Sequence, residues 1–93
     1  MLVIIKSGPD TTEGKRGVKT AGDMAADIAL LQNAVYFAQK DRMGGFCGTI
    51  HVLAEDCRLR GLGETDIEGG IKQIGYDELV DLMVKDEKVI GVL

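Results

Sequence analysis

Residues 49–61 read Thr49-Ile50-His51-Val52-Leu53-Ala54-Glu55-Asp56-Cys57-Arg58-Leu59-Arg60-Gly61, and they carry the strongest indication of the class of fold. Its first six residues are mostly apolar or β-branched, which is typical of a buried strand. The following six residues indicate a short helix, and Gly61 is suited to end it. We therefore predict a strand that passes directly into a helix, which is the unit from which parallel α/β sheets are built.

The alternation of strand and helix extends over the rest of the chain. Continuous apolar runs indicate strands that are buried on both faces, and apolar residues three or four positions apart indicate helices. The predicted strands are Leu2–Ile5, Asp27–Leu31, Thr49–Ala54, Ile71–Ile74 and Val89–Leu93, and the predicted helices are Glu13–Met24, Ala34–Lys40, Glu55–Arg60 and Tyr76–Lys85. This order predicts an α/β fold, a three-layer α/β/α sandwich around a mainly parallel sheet of four or five strands. Residues 1–93 are expected to form a single domain.

The composition excludes several classes of function. The net charge of -4 argues against direct nucleic-acid binding, which requires a basic surface. Two cysteines and one histidine match neither a zinc pattern nor a disulfide framework, so we expect no metal and no cofactor. The apolar run Met1–Ile5 is shorter than a signal-peptide core, and no run is long enough to span a membrane. We therefore expect a cytoplasmic protein without membrane contact.

Cys57 is the first candidate for catalysis. It lies in the first turns of a helix that follows a parallel strand, where open α/β folds usually place their chemistry. The helix N-terminus, Arg58 and Arg60 would favour a thiolate, whereas Glu55 and Asp56 would oppose it. The alternative is a buried packing role, because free cysteine is among the most buried residue types.

Polar residues near other strands are candidates for contacts with a ligand or a partner. Gln32 and Asn33 end a buried strand at the carboxyl edge of the sheet, although Asn33 could instead cap the following helix. His51 lies within the third predicted strand and shares one face with Thr49 and Leu53, where a packing role is the alternative. The candidate residues for these contacts are Gln32, Asn33, His51, Glu55 and Asp56.

A remote alternative is a small-ligand module that uses the loop over residues 8–16. This loop follows a strand and precedes a helix, as a phosphate-binding loop does. However, five residues rather than four separate Gly8 from Gly14, and Arg16 replaces the metal-binding hydroxyl of that motif. Acidic side chains in the loop, such as Asp10, would also repel phosphate.

Three segments resemble those of one known family, and they occur in its order and at its spacing. Leu30-Leu31-Gln32-Asn33-Ala34-Val35 resembles the LLQ(D/N)GV signature of the DsrH/TusB proteins, which are members of the DsrE/F/H sulfur-relay superfamily. The segment His51–Gly61 resembles the family's VYAL-x-(E/D)-D-(L)-x-x-RG segment, and Ile74–Leu82 resembles its I-x-Y-x-x-F-V-x-L segment. The chain is therefore similar to DsrH/TusB over nearly its whole length.

This resemblance implies a cytoplasmic subunit of a sulfur relay, which serves either 2-thiolation of the wobble uridine in tRNA or sulfur oxidation. It implies DsrE-like and DsrF-like sister subunits in a hetero-hexamer, or self-association into a homo-oligomer, and a small sulfur-carrier protein. In the sulfur-carrying sister subunit the active cysteine precedes the Arg-Gly pair by about two helical turns. When the two sequences are aligned on Arg60-Gly61, the position of that cysteine falls near Leu53. The resemblance thus implies a non-catalytic subunit, and the alternative is a sulfurtransferase in which Cys57 carries the persulfide.

Overall fold

The computed structural model describes residues 1–86 and 88–91. Within them, the strands are β1 (Leu2–Ile5), β2 (Asp27–Leu30), β3 (Ile50–Leu53), β4 (Lys72–Ile74) and β5 (Val89–Ile90). The α-helices are α1 (Thr12–Asp23), α2 (Ala54–Leu59) and α3 (Tyr76–Lys85), and 3₁₀ helices cover Gln32–Ala38 and Glu64–Asp66. The strands form one parallel sheet in the order β4-β3-β2-β1-β5. The predicted α/β class and parallel sheet are confirmed.

The strand order explains how the helices are distributed over the two faces. The chain steps outward from β1 to β4, with α1, the longer 3₁₀ helix and α2 packed on one face of the sheet. It then reverses direction and returns through α3, which packs on the opposite face, to β5 beside β1. Because parallel crossovers are right-handed, reversing the direction of travel moves the connection to the other face. Among the helices of the described chain, α3 therefore covers the second face alone.

Two apolar clusters separate these layers. The larger cluster lies under α1, the longer 3₁₀ helix and α2, and it includes Ile50 and Val52 of β3. The smaller cluster lies under α3 and includes Leu53, together with Ile74 and Leu79. Successive residues of β3 thus point to opposite faces, as the alternation of side chains along a strand requires.

The start of α1 depends on a glycine. Thr11 caps the helix because its Oγ1 accepts a hydrogen bond from Gly14 N at 3.0 Å and donates one to Gly8 O at 2.7 Å. A Cβ atom on Gly14 would lie 2.2 Å from Gly8 O and 2.6 Å from Ser7 O. Gly14 therefore allows the first turn of α1 to pack directly on the backbone that leaves β1.

The segment after β2 differs from the prediction. An α-helix over Ala34–Lys40 with Asn33 as its N-cap is wrong, because the structure has a 3₁₀ helix over Gln32–Ala38 that no side chain caps. The backbone of Gln32 adopts a left-handed conformation, with φ of 50°, so the chain turns sharply after β2. The helix that follows is wound more tightly than an α-helix. Most other boundaries differ by one residue from those predicted. The end of the predicted strand Val89–Leu93, at Val92 and Leu93, lies outside the described residues.

Candidate functional site

This topology favours a ligand-binding site at the carboxyl ends of β3 and β4. The connection after β3 leads to α2 on one face, and the connection after β4 leads to α3 on the other face. Open α/β sheets bind ligands in the crevice at such a topological switch point. Leu53 and Ile74 are paired across the two strand ends, and both side chains are buried. The strand ends therefore place two apolar side chains at this crevice.

Cys57 lies one turn into α2 and packs into the larger apolar cluster. Its side chain is only 2% exposed. Burial is the main cause that raises the pKa of the Cys57 thiol, and the neighbouring Asp56 carboxylate raises it further, although Arg60 acts in the opposite direction. Arg58, which would also favour a thiolate, is instead paired with Glu55 on the same helix. The surroundings thus favour a protonated, inaccessible thiol and a packing role.

Three of the predicted site residues meet around Asp56. Its Oδ2 accepts a hydrogen bond from the backbone N–H of Gln32 at 2.7 Å, and its Oδ1 lies 3.8 Å from Nη1 of Arg60. Arg60 also donates from Nη1 to the Asp56 carbonyl oxygen at 3.3 Å and from Nε to Asn33 Oδ1 at 2.9 Å. These contacts tie the exit of β2 to α2. The sequence indicated Arg60 only as a neighbour that would favour a thiolate, because its contact with Asn33, 27 positions away, depends on tertiary packing.

A cleft of about 530 Å³ opens beside this network at the carboxyl edge of the sheet. Its lining consists of Gly8, Pro9, Asp10, Thr11, Asn33, Tyr36 and Arg42. The structure therefore brings Asn33 together with the first part of the loop over residues 8–16. Tyr36 and Arg42 were not predicted here, since only the packing of the 3₁₀ helix and of the turn after it places them at this edge. Use of the cleft by a small ligand remains a prediction.

His51 does not join these residues, because it points to the opposite face of the sheet, toward α3. The side chain is 7% exposed, and its Nδ1 has no hydrogen-bond partner among the described residues. Burial, together with the positive charge of Lys72, lowers the pKa of His51, and the weaker effect of Asp27 opposes this. His51 is therefore neutral at pH 7.

The lowered pKa of His51 predicts a dependence of stability on pH. The unfolded chain binds a proton at His51 below about pH 6.5, whereas the folded chain resists protonation. The free energy of unfolding should therefore fall as the pH drops through and below this value. We expect urea midpoints at pH 7.5 and 5.5 to differ less for His51→Gln, which stays neutral, than for the wild-type chain. Parallel pH profiles for both proteins would contradict this assignment.

Comparison with known proteins identifies the family. The family model described as "DsrH like protein" matches residues 17–89, which is most of the chain. The chain belongs to the DsrH-like family. Two solved structures are similar to this DsrH-like chain over almost their full length. The crystal structure of YchN from E. coli is 12% identical, covers 99% of this chain and 97% of its own, and has a TM-score of 0.83, which shows the shared fold.

The second similar structure is the solution structure of Tm0979 from Thermotoga maritima. It is 28% identical, covers 98% of the DsrH-like chain and 100% of its own, and has a TM-score of 0.69. No curated protein sequence matches the chain. Membership of the DsrH-like family makes this a sulfur-relay-related protein.

The other groups of the DsrH-like chain that could carry chemistry lie away from the crevice. Cys47 is exposed in the loop before β3, at the amino edge of the sheet, with its Sγ 3.7 Å from Gly45 O. Among the described residues, no three His, Cys, Asp or Glu side chains are grouped closely enough to hold a metal ion. No helix in residues 1–86 or 88–91 is long and apolar enough to cross a membrane.

Proposed function

We propose that this DsrH-like chain is a non-catalytic subunit of a cytoplasmic sulfur relay. The observation that carries the proposal is the buried Leu53 at the crevice between β3 and β4. The family register places the thiol of the sulfur-carrying sister subunit near this position. A leucine there has no group that can accept sulfur, although the topology favours chemistry at this crevice. The chain then supports a transfer whose reactive cysteine belongs to a sister subunit.

The outer side of α3 supports a role in assembly. Apolar side chains are exposed along it at spacings of three and four residues, which places them on one side of the helix: Tyr76, Val80, Met83 and Val84. Val84 is the most exposed of the four, at 78%. Soluble monomers seldom expose contiguous apolar patches of this kind. We infer that a DsrE-like or DsrF-like sister subunit covers this stripe in a hetero-hexamer, and a homo-oligomer is the alternative.

The proposed relay has two carriers of sulfur, a sister subunit and a small carrier protein. Persulfide sulfur would pass through the sister subunit to a small sulfur-carrier protein, and from there toward 2-thiolation of the tRNA wobble uridine. Sulfur oxidation is the other pathway that the family serves. The net charge of -4 supports contact with the protein carrier rather than with tRNA itself.

Co-expression with the DsrE-like and DsrF-like subunits of the same genome tests the assembly. We expect a stable complex with the wild-type chain. Val84→Glu should weaken that complex by at least about tenfold, because an unpaired carboxylate would be buried against apolar surface. Leu59→Glu is the matched control, since Leu59 is exposed on α2 in the other layer. A chain that stays apart from every sister subunit, or equal effects of both substitutions, would contradict the proposal.

The alternative in which Cys57 carries the persulfide is tested in the same complex. With the proposed role, Cys57→Ala leaves sulfur transfer by the assembled subunits unchanged. Mass spectrometry of the folded chain after incubation with a persulfide donor should find no added sulfur, about +32 Da, on Cys57. An adduct on Cys57, with loss of transfer in Cys57→Ala although the complex assembles, would establish the sulfurtransferase alternative.

A further inference from the structure

A groove of about 270 Å³ runs between α3 and the β3–β4 side of the sheet, on the face opposite Cys57. The residues that give it its chemistry are His51, Lys72, Glu78, Asp81 and Lys85. The two lysines come from β4 and the end of α3, and both carboxylates come from α3. The groove thus combines charges of both signs with a buried imidazole.

His51 is the buried polar group of this groove. Its Nδ1 is sealed from solvent without a hydrogen-bond partner in the described structure, whereas Nε2, also without a partner, keeps access to solvent. A neutral imidazole carries one proton, and an orphaned buried N–H group is rarer than an orphaned buried acceptor. We therefore assign the proton to Nε2. His51 then offers an N–H donor to the groove.

The charged side chains of the groove remain available to a ligand. No ion pair involves Lys72, Lys85 or Asp81 within the described part of the chain. Glu78 is partly committed, because its Oε1 accepts a hydrogen bond from Gly75 N at 3.2 Å. The groove therefore offers an imidazole N–H donor and two ammonium groups to an anionic group, and the Asp81 carboxylate to a cationic group.

We propose that this groove binds a small zwitterion that carries a carboxylate and an ammonium group, which is the chemistry of an α-amino acid. The ligand carboxylate accepts hydrogen bonds from His51 Nε2 and the lysines, and the ligand ammonium group donates to Asp81. A simple anion fits less well, because Asp81 and Glu78 would repel it. The volume is slightly below the range of about 300–1,000 Å³ that is usual for drug-sized ligands, which favours a small molecule.

The single histidine of the chain gives this proposal a direct test. The ring resonances of His51 in an NMR spectrum report on the groove without ambiguity of assignment. We expect L-alanine to shift them in a saturable way at constant pH and ionic strength. Acetate and methylammonium, which each carry one of the two charges, should bind at least about tenfold more weakly, because each lacks one set of charge-assisted hydrogen bonds.

Matched substitutions locate the binding. Lys72→Gln and Asp81→Asn change exposed residues of the groove, so the fold should persist, and each should weaken alanine binding about tenfold. Lys40→Gln and Asp41→Asn make the same changes at exposed positions outside the groove and should leave binding unchanged. The proposal is overturned by the absence of a saturable shift, by equal affinity for acetate and alanine, or by equal effects of groove and control substitutions. None of these outcomes bears on assembly with sister subunits.

Discussion

Asp56→Ala is expected to lower the free energy of unfolding by about 3 kcal/mol. The carboxylate is buried, and it holds both the Gln32 N–H at 2.7 Å and the Arg60 guanidinium at 3.8 Å. Alanine would leave a backbone donor and a largely buried cation without this acceptor. The left-handed turn at Gln32, which positions the exit of β2, would lose its main tertiary contact.

Urea denaturation of the two proteins measures this loss. Asp23→Ala is the matched control, because Asp23 forms an exposed ion pair with Lys19 at 3.0 Å, and such pairs contribute at most about 1 kcal/mol. Asp56→Asn should fall between the two, since its amide oxygen still accepts from Gln32 but no longer carries a charge. A loss below about 1 kcal/mol in Asp56→Ala would show that the network is not a principal support of this edge.

Gly14→Ala is expected to destabilise the fold as much as Asp56→Ala, although it adds only a single methyl group. The new Cβ would lie 2.2 Å and 2.6 Å from two backbone carbonyl oxygens, of Gly8 and Ser7. Backbone atoms cannot rotate away as a side chain can, so α1 or the turn before it must move. We expect a loss of about 3 kcal/mol, at the upper end for overpacking, and a fall in Tm of roughly 12 °C or more.

Gly22→Ala provides the control on the same helix. Apart from its chain neighbours and the backbone of its own helix, a Cβ added at Gly22 would have no atom within 4 Å. Alanine should therefore stabilise the helix by about 0.5–1 kcal/mol, because glycine carries a larger loss of backbone entropy on folding. Thermal unfolding of both variants should move Tm in opposite directions. Two shifts of the same sign would mean that α1 does not pack on the turn as closely as the structure indicates.

The role of Gly14 also bears on the small-ligand alternative. In the sequence, Gly8 and Gly14 suggested a loop that wraps around phosphate. In the structure, α1 begins at Thr12, and Gly14 already lies inside the helix against the Gly8 and Ser7 carbonyl oxygens. Helix packing therefore accounts for Gly14 without a ligand. Binding of a small ligand in the cleft next to Gly8 can still be tested. Arg42, which lines the same cleft, would supply a cationic group for such a ligand.

The sequence predicted the fold well and the candidate site only in part. Apolar runs and helical spacing located each described strand and α-helix, because these patterns arise from local geometry and burial. The same reasoning was wrong about Asn33 as a helix cap, since the turn there is set by Asp56, 24 positions away in sequence. The side-chain alternation along β3 was predicted, but the groove that His51 lines required the position of α3.

The class of fold and the family could be predicted from the amino-acid sequence, and so could the fact that His51 and Leu53 share one face of their strand. These follow from periodicity and from ordered motifs, which are properties of neighbouring residues. The burial of Cys57 depends on the layer that covers it, and therefore only the three-dimensional structure shows it. The three-dimensional structure also placed Leu53 and Ile74 at the crevice between β3 and β4, because the reversal of strand order sends α3 to the opposite face. Contacts between residues far apart in sequence therefore make Cys57 a core residue, although its position in the sequence suggested a reactive thiol.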